Sequence, residues 1–316
     1  MLNTMKTLVR REFWEHRGAF IKTPIIISIV LFVITIGAYI TGLVLASKTG
    51  SRELADTSIR ELANLSQEKL TTFWDIQLVS ISSLYLVVLF FVLFFFLLGS
   101  LFDDRKDGSI LFWKSLPISD TETVLSKLVT AMIFVPVFFV VIFFAATIAE
   151  MILYSILLLI HGFNPIQLVW APVNLFSGIY AMLLGAFMQM LWAMPIYGWL
   201  IFSSSVSKRR PFLFAIFIPA IISFSWYWVN ILSFKFTDFS MFKKPLFHLA
   251  HAMLPYGSGS MGDNNFSFSP EENSSLPVLI SNMSSSIINR EILYGIIVAV
   301  VFVAISIWVR RYRNTT

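Results

Sequence analysis

The sequence predicts an all-α polytopic membrane protein with six transmembrane helices. Three observations predict it. The chain of 316 residues is 57% hydrophobic and only 13% charged, where soluble domains carry about 25% charged residues. Its apolar runs are continuous and longer than the roughly 18 residues that cross a hydrocarbon layer, Leu84–Phe102 being one. Those runs lack the ten-residue alternation of a membrane β-barrel. A mean hydropathy of +0.79 agrees.

The elements follow in order. Residues 1–23 are charged throughout and lack the short apolar core of a cleavable signal. Leu2, Met5, Val9 and Phe13 fall near one helical face and Lys6, Arg10 and Arg17 elsewhere, which predicts an interfacial helix lying on the bilayer. The expected spans are Pro24–Ala46, Gln77–Phe102, Leu128–Ile160, Val173–Ser203, Phe212–Phe234 and Glu291–Val309. Pro136 and Pro195 are expected kink points. Segments 1–23, 103–127, 207–211 and the tail together hold 15 basic residues, against eight in the larger alternating set 47–76, 161–172 and 235–290. By the positive-inside bias both termini are expected in the cytoplasm of a multi-pass protein, and a bacterial inner membrane fits. The whole chain, 1–316, reads as a single transmembrane domain.

The outer segments differ in composition. Segment 47–76 is helix-forming and is expected to cap the second span. In the outer segment 235–289 the first part, through "LFHLAHAMLPYG", is too apolar for a free loop and is expected to re-enter or line the membrane edge. Its second part, within 257–286, is Gly/Ser/Asn-rich, the composition of mobile chain, and its role stays open. N-x-S/T triplets begin at Asn64, Asn265, Asn273 and Asn282, but Ser-rich segments produce them by chance.

Composition and motifs exclude several functions. The +5 charge sits at span ends, which argues against nucleic acid. There is no cysteine, so no disulfide and no thiolate metal site. GxxxxGK[ST] is absent, and no protease, zinc or paired-carboxylate constellation assembles, so the chain is not expected to be an enzyme or to hold a cofactor of its own. His248 and His251 can share a helix face, but without a third ligand interfacial packing is the default. Gln189, Ser223 and Asn230 are candidates for hydrogen bonds between spans, and Ala38-x-x-x-Gly42 and Ala181-x-x-x-Gly185 for close helix contact. Glu150 is the one acid well inside an expected span. Two readings stay open: a functional intramembrane acid, or a solvated one near the outer interface, about 33 Å along the helix from Leu128.

The segment Asp103–Asp120, "DDRKDGSILFWKSLPISD", is the most unusual. Its charged start must be wet. Gly108 turns the chain, and Ser109–Leu116 is long enough for two helical turns with Ile110, Trp113 and Leu116 on one face. Pro117 ends that piece, and Ser119-x-x-Glu122 fits a capping box for a helix running through Lys127 into the third span. Phe112 and Trp113 could dip into lipid or anchor a partner; an aromatic pair among Arg and Lys is the composition of a binding hot spot.

This segment resembles the loop between the second and third spans of ABC-2 type transporter permeases. The resemblance rests on Asp104, Arg105, Gly108-Ser109, Ile110–Trp113, Pro117-Ile118-Ser119 and Lys127, about 25 residues, with the six-span layout agreeing across the chain. It implies that Gly108–Leu116 is a cytoplasmic coupling helix. Arg105, Lys106, Asp107, Gly108, Ser109, Ile110, Phe112, Trp113, Lys114, Leu116 and Pro117 would contact a separate ABC ATPase subunit. ATP would sit on that partner, and a second permease copy or homologue would complete a dimer in the lipid bilayer. The function implied is the permease subunit of an ATP-driven exporter. The alternatives are a stand-alone secondary transporter or channel, which needs intramembrane charges or broken repeats, and a membrane sensor or scaffold.

Overall fold

The computed structural model describes residues 2–48, 60–61, 64–232, 240–256, 276–285, 287 and 289–312, without the side chains of 2, 3, 46, 47, 230, 231, 240–245 and 285. The described residues form helices and no strand. They are α1 (Leu2–Glu15), α2 (Thr23–Lys48), α3 (Gln67–Lys106), α4 (Ser109–Ser115), α5 (Asp120–Val129), α6 (Val135–Ile160), α7 (Leu175–Val206), α8 (Pro211–Leu232), α9 (Ser240–Met253), α10 (Leu276–Ser285) and α11 (Arg290–Tyr312). Six stretches are long and apolar enough to cross a membrane: Gly18–Leu45, Gln67–Lys106, Asp120–Ile160, Ile166–Val206, Pro211–Val229 and Arg290–Tyr312. The protein is therefore an all-α, multi-pass membrane protein.

Three joints are wider helical turns, Gly18–Lys22, Thr130–Phe134 and Ile166–Trp170. The second has a cause in the sequence. Pro136 carries no N–H, so the Met132 carbonyl loses its donor four residues on. The chain absorbs this by widening the turn before it, where the Val135 N–H reaches back five residues to the Thr130 carbonyl. The third span thus runs Asp120–Ile160 as one stretch with an internal change of phase.

α7 is the centre of the bundle, packed by α3, α9, α10 and α11. Small residues set its closest approach. A Cβ on Gly198 would lie 2.8 Å from Ala299 Cα, and one on Gly295 would lie 3.2 Å from Pro195 and His248, so Gly295-x-x-x-Ala299 on α11 lets the two backbones touch. Ala181-x-x-x-Gly185 does similar work: a Cβ on Gly185 would lie 2.9 Å from Leu86 and the Tyr256 hydroxyl. Ala38-x-x-x-Gly42 makes no such contact among the described residues, where a Cβ on Gly42 would meet nothing within 4 Å. Gln189 ties α7 to two neighbours, donating to the carbonyls of Leu86 (2.7 Å) and Ala252 (2.8 Å). Ser223 is half-buried with no interhelical bond among the described residues, and the Asn230 side chain lies outside them.

The outer segments are partly described. Residues 67–76 are the first turns of α3 itself, so the helix starts ten residues before the expected Gln77. Within 235–289, α9 packs onto α7: His248 stands 3.3 Å from the Trp192 carbonyl and the His251 ring lies 4.6 Å from that of Trp192. Burial keeps the His251 imidazole below its ordinary pKa range. α10 is held by Asp75, a 4% exposed acid whose Oδ2 accepts the Leu276 N–H at 3.2 Å. Residues 257–275, with Asn265 and Asn273, lie outside the described residues. α2 and α8 are peripheral. None of the apolar window of α2 is buried, and 6% of that of α8 is.

Candidate functional site

The unusual segment and both terminal helices meet at one end of the bundle. α3 continues past Phe102 through Lys106 and is capped at Asp107, and the chain turns at Gly108, whose φ of +71° is the left-handed conformation that favours glycine. α4 is two turns. Leu116 then turns extended before Pro117, and the Ser119 hydroxyl accepts the Glu122 N–H while the Glu122 carboxylate accepts the Ser119 N–H, both at 3.1 Å. That capping box starts α5, whose Lys127 points into the bundle.

Lys127 is 2% exposed and would be ruinous there alone. It is paired twice: its Nζ lies 3.0 Å from Glu12 on α1 and 3.5 Å from Asp104 on α3. Asp104 in turn lies 3.3 Å from Arg310 on α11, and Arg310 donates to Asp120 at the start of α5 at 2.9 Å. Arg11, half-buried, also pairs with Glu12. Glu12 is fully buried, and Asp104 and Arg310 are each 7% exposed. Breaking one link of such a chain costs about 3–5 kcal/mol because a charge is left behind without a partner. The network fastens α1, α3, α5 and α11 together.

It also fixes α1. Leu8, Val9 and Glu12 are the buried face of this helix, covered by α5 and the turn Thr130–Phe134. Protein thus covers part of the face expected to lie on lipid. Lys6 and Arg10 remain exposed.

α4 is split between two tasks. Ile110 is buried, and Trp113 is half-buried beneath the Arg11 guanidinium, 3.9 Å from its ring centroid. Leu116 is half-buried. Leu111 and Phe112 point the other way, 62% and 60% exposed. Lys106, Asp107, Gly108, Lys114 and Pro117 are exposed; Ser109 is half-buried and donates to the Asp104 carbonyl at 3.1 Å. Arg105 reaches the carbonyls of Ser204, Ser205 and Ser207, the last at 3.0 Å, and so satisfies the C-terminal end of α7. Of the residues expected to meet a partner, Arg105 and Trp113 are thus engaged within the chain, and Leu111, which the sequence reading left out, stands beside Phe112.

Glu12, Glu15 and His16 lie close enough to share a cation, within 4.8 Å of one another. Glu12, however, is already committed to Lys127 and Arg11. Glu150 lies far from this end, on α6. It is 7% exposed and sits inside the bundle. That differs from the exposed glutamate expected from depth along the span alone, because neighbouring helices cover most of the side chain.

Sequence reasoning missed the network because its links join positions 115 and 206 residues apart. A signal existed for part of it. Glu12 is an acid amid basic residues, and Lys127 is a charge directly before an apolar span. No protein-family model matches the chain, and no curated protein or solved structure matches it.

Proposed function

We propose that the chain is the permease subunit of an ATP-driven ABC transporter, an exporter, with the basic end in the cytoplasm and α4 as the helix that receives the motion of a separate ATPase subunit. One observation carries the reading most. α4 offers an exposed apolar pair, Leu111 and Phe112, on an otherwise wet loop, while its opposite face is anchored by Ile110 and by Trp113 under Arg11. A helix anchored on one side and apolar on the other suits docking into a groove. The linkage behind it supports transmission: a push on α4 reaches α3 through Gly108, α7 through Arg105 and α5 through the Pro117 turn. In this reading ATP binds the partner, and a second permease copy packs in the membrane.

The test is co-purification of the ATPase encoded with this chain. The double substitution Leu111→Ala, Phe112→Ala should abolish ATPase association and ATP-driven activity while leaving the melting temperature unchanged. Unchanged association would overturn the docking reading. A stand-alone secondary transporter is the second reading, favoured by the buried Glu150 alone; transport driven by an ion gradient with no ATPase present would select it.

A further inference from the structure

The two neighbouring acids near the end of α3 have different surroundings. Asp104 is buried in the ion network. Asp103 is exposed, and among the described residues its carboxylate makes no ion pair and no hydrogen bond. It leans back along α3 over Gly99, where an added Cβ would lie 2.5 Å from Asp103 Oδ2. A larger residue at 99 would push the carboxylate off the helix, so this glycine lets the charge lie toward the apolar part of the span.

Asp103 itself lines a cavity of about 460 Å³. One wall is α3. Val88, Val92, Phe95, Gly99 and Asp103 follow at three- or four-residue steps and form one stripe of that helix. The facing wall is His16, Phe20 and Thr23, spaced the same way across the wide turn Gly18–Lys22. Phe20 and Phe96 are buried and meet edge to face at 5.1 Å, and the His16 ring lies 5.0 Å from that of Phe96. Phe91 and Phe95 also line the cavity but are 43% and 58% exposed, so it opens sideways along the span.

The polar lining gathers at one end. His16 precedes the first candidate span, Thr23 stands near its start, and Asp103 is in the last turn of the second. Below them the walls are Val and Phe. From Val88 to Asp103 the stripe is about 22 Å long, which matches about half of a 40–45 Å bilayer counted with its headgroups. An occupant therefore needs a polar head, an apolar tail and the length of one leaflet. The charges choose the head. An exposed carboxylate repels an anionic head and takes an ammonium group, while the Thr23 hydroxyl and a His16 N–H, neither hydrogen-bonded to another described residue, are donors for a phosphate.

We propose that this cavity binds a zwitterionic phospholipid of the adjoining leaflet, with its ammonium group on Asp103, its phosphate beside His16 and Thr23, and an acyl chain along Val88–Phe96. The selectivity is opposite to what the bare charge of the N-terminal segment favours. Five basic residues within 1–23 attract anionic lipid to this surface, and only the carboxylate reverses that inside the cavity. Binding requires the placement of the spans in a bilayer and no role in transport.

The test uses the full chain in detergent without any ATPase, titrated with dioleoyl phosphatidylethanolamine or dioleoyl phosphatidylglycerol, with bound lipids counted by native mass spectrometry. The first bound lipid should favour phosphatidylethanolamine by at least about tenfold. Asp103→Asn should remove that preference and leave phosphatidylglycerol binding at least as strong. Ala19→Trp, at an exposed position on the cavity wall, should block the site and also remove the preference. Equal affinity for the two lipids in the wild type, or an undiminished preference in Asp103→Asn, would overturn the proposal. So would a preference lost in Asp103→Asn but kept in Ala19→Trp, since the carboxylate would then be attracting the amine outside the cavity. ATPase association does not enter any of these outcomes, so the lipid site and the transporter reading fail separately.

Discussion

The third span carries two buried ionisable groups that have been given opposite solutions. Lys127, 2% exposed, meets carboxylates from two other helices, and one of those passes the contact on to a third helix. Glu150, 7% exposed on the same span, has no cation paired with it among the described residues. Burial is alike; completeness is not. A finished ion network holds elements in one arrangement. The first is the chemistry of a fastening, and the second adds nothing to it.

Substitutions at the two residues should therefore separate widely. Lys127→Met should cost about 3–5 kcal/mol, read as a large fall in melting temperature in detergent, because Glu12 and Asp104 lose their shared cation. Pairing it with Glu12→Gln in a double-mutant cycle should recover about 1–3 kcal/mol; strict additivity would dissolve the network claim. Arg105→Ala comes next, at about 2–3 kcal/mol, by freeing the carbonyls at the end of α7, and protease cleavage near Ser207 should rise. Trp113→Ala should cost about 1 kcal/mol and loosen α1, seen as faster amide exchange around Arg11. Glu150→Gln should change stability by less than about 0.5 kcal/mol or raise it, since no internal partner is lost. A drop as large as that of Lys127→Met would erase the contrast.

His251 shows a third solution, a buried ionisable group kept neutral. Its folded pKa lies below the ordinary 6.5 because burial disfavours the imidazolium. The unfolded chain then binds the proton first, so this contribution to stability is present above about pH 6.5 and declines as pH falls below it. His251→Phe should flatten that part of the pH–stability curve.

How much of this was legible in the sequence differs by element. The turn at Gly108, the short helix, the Pro117 stop and the Ser119–Glu122 box were legible because each is fixed by neighbours within four residues. The facing of α4 was also legible: Ile110, Trp113 and Leu116 do share the inward face. The identity of what Trp113 meets was not, since Arg11 lies a hundred positions away in the chain. Glu150 was recognised as unusual by its apolar surroundings. Its burial was not, because α6 is apolar on all sides and offers no polar stripe to orient it. The α7–α11 crossing was missed although Gly295-x-x-x-Ala299 was written in the sequence, because small residues mark possible contacts and only packing chooses among them.

The network at the basic end has one more property. Arg11, Lys127 and Arg310 stand against Glu12, Asp104 and Asp120, so the assembly is formally neutral. Each elementary charge carried through a 100 mV membrane potential involves about 2.3 kcal/mol. A rearrangement that moves these six groups as a body carries no net charge, and the voltage across the membrane does no work on it. A motion confined to these six groups should therefore be silent to voltage, with the same rate in proteoliposomes whether a potassium diffusion potential is imposed or collapsed.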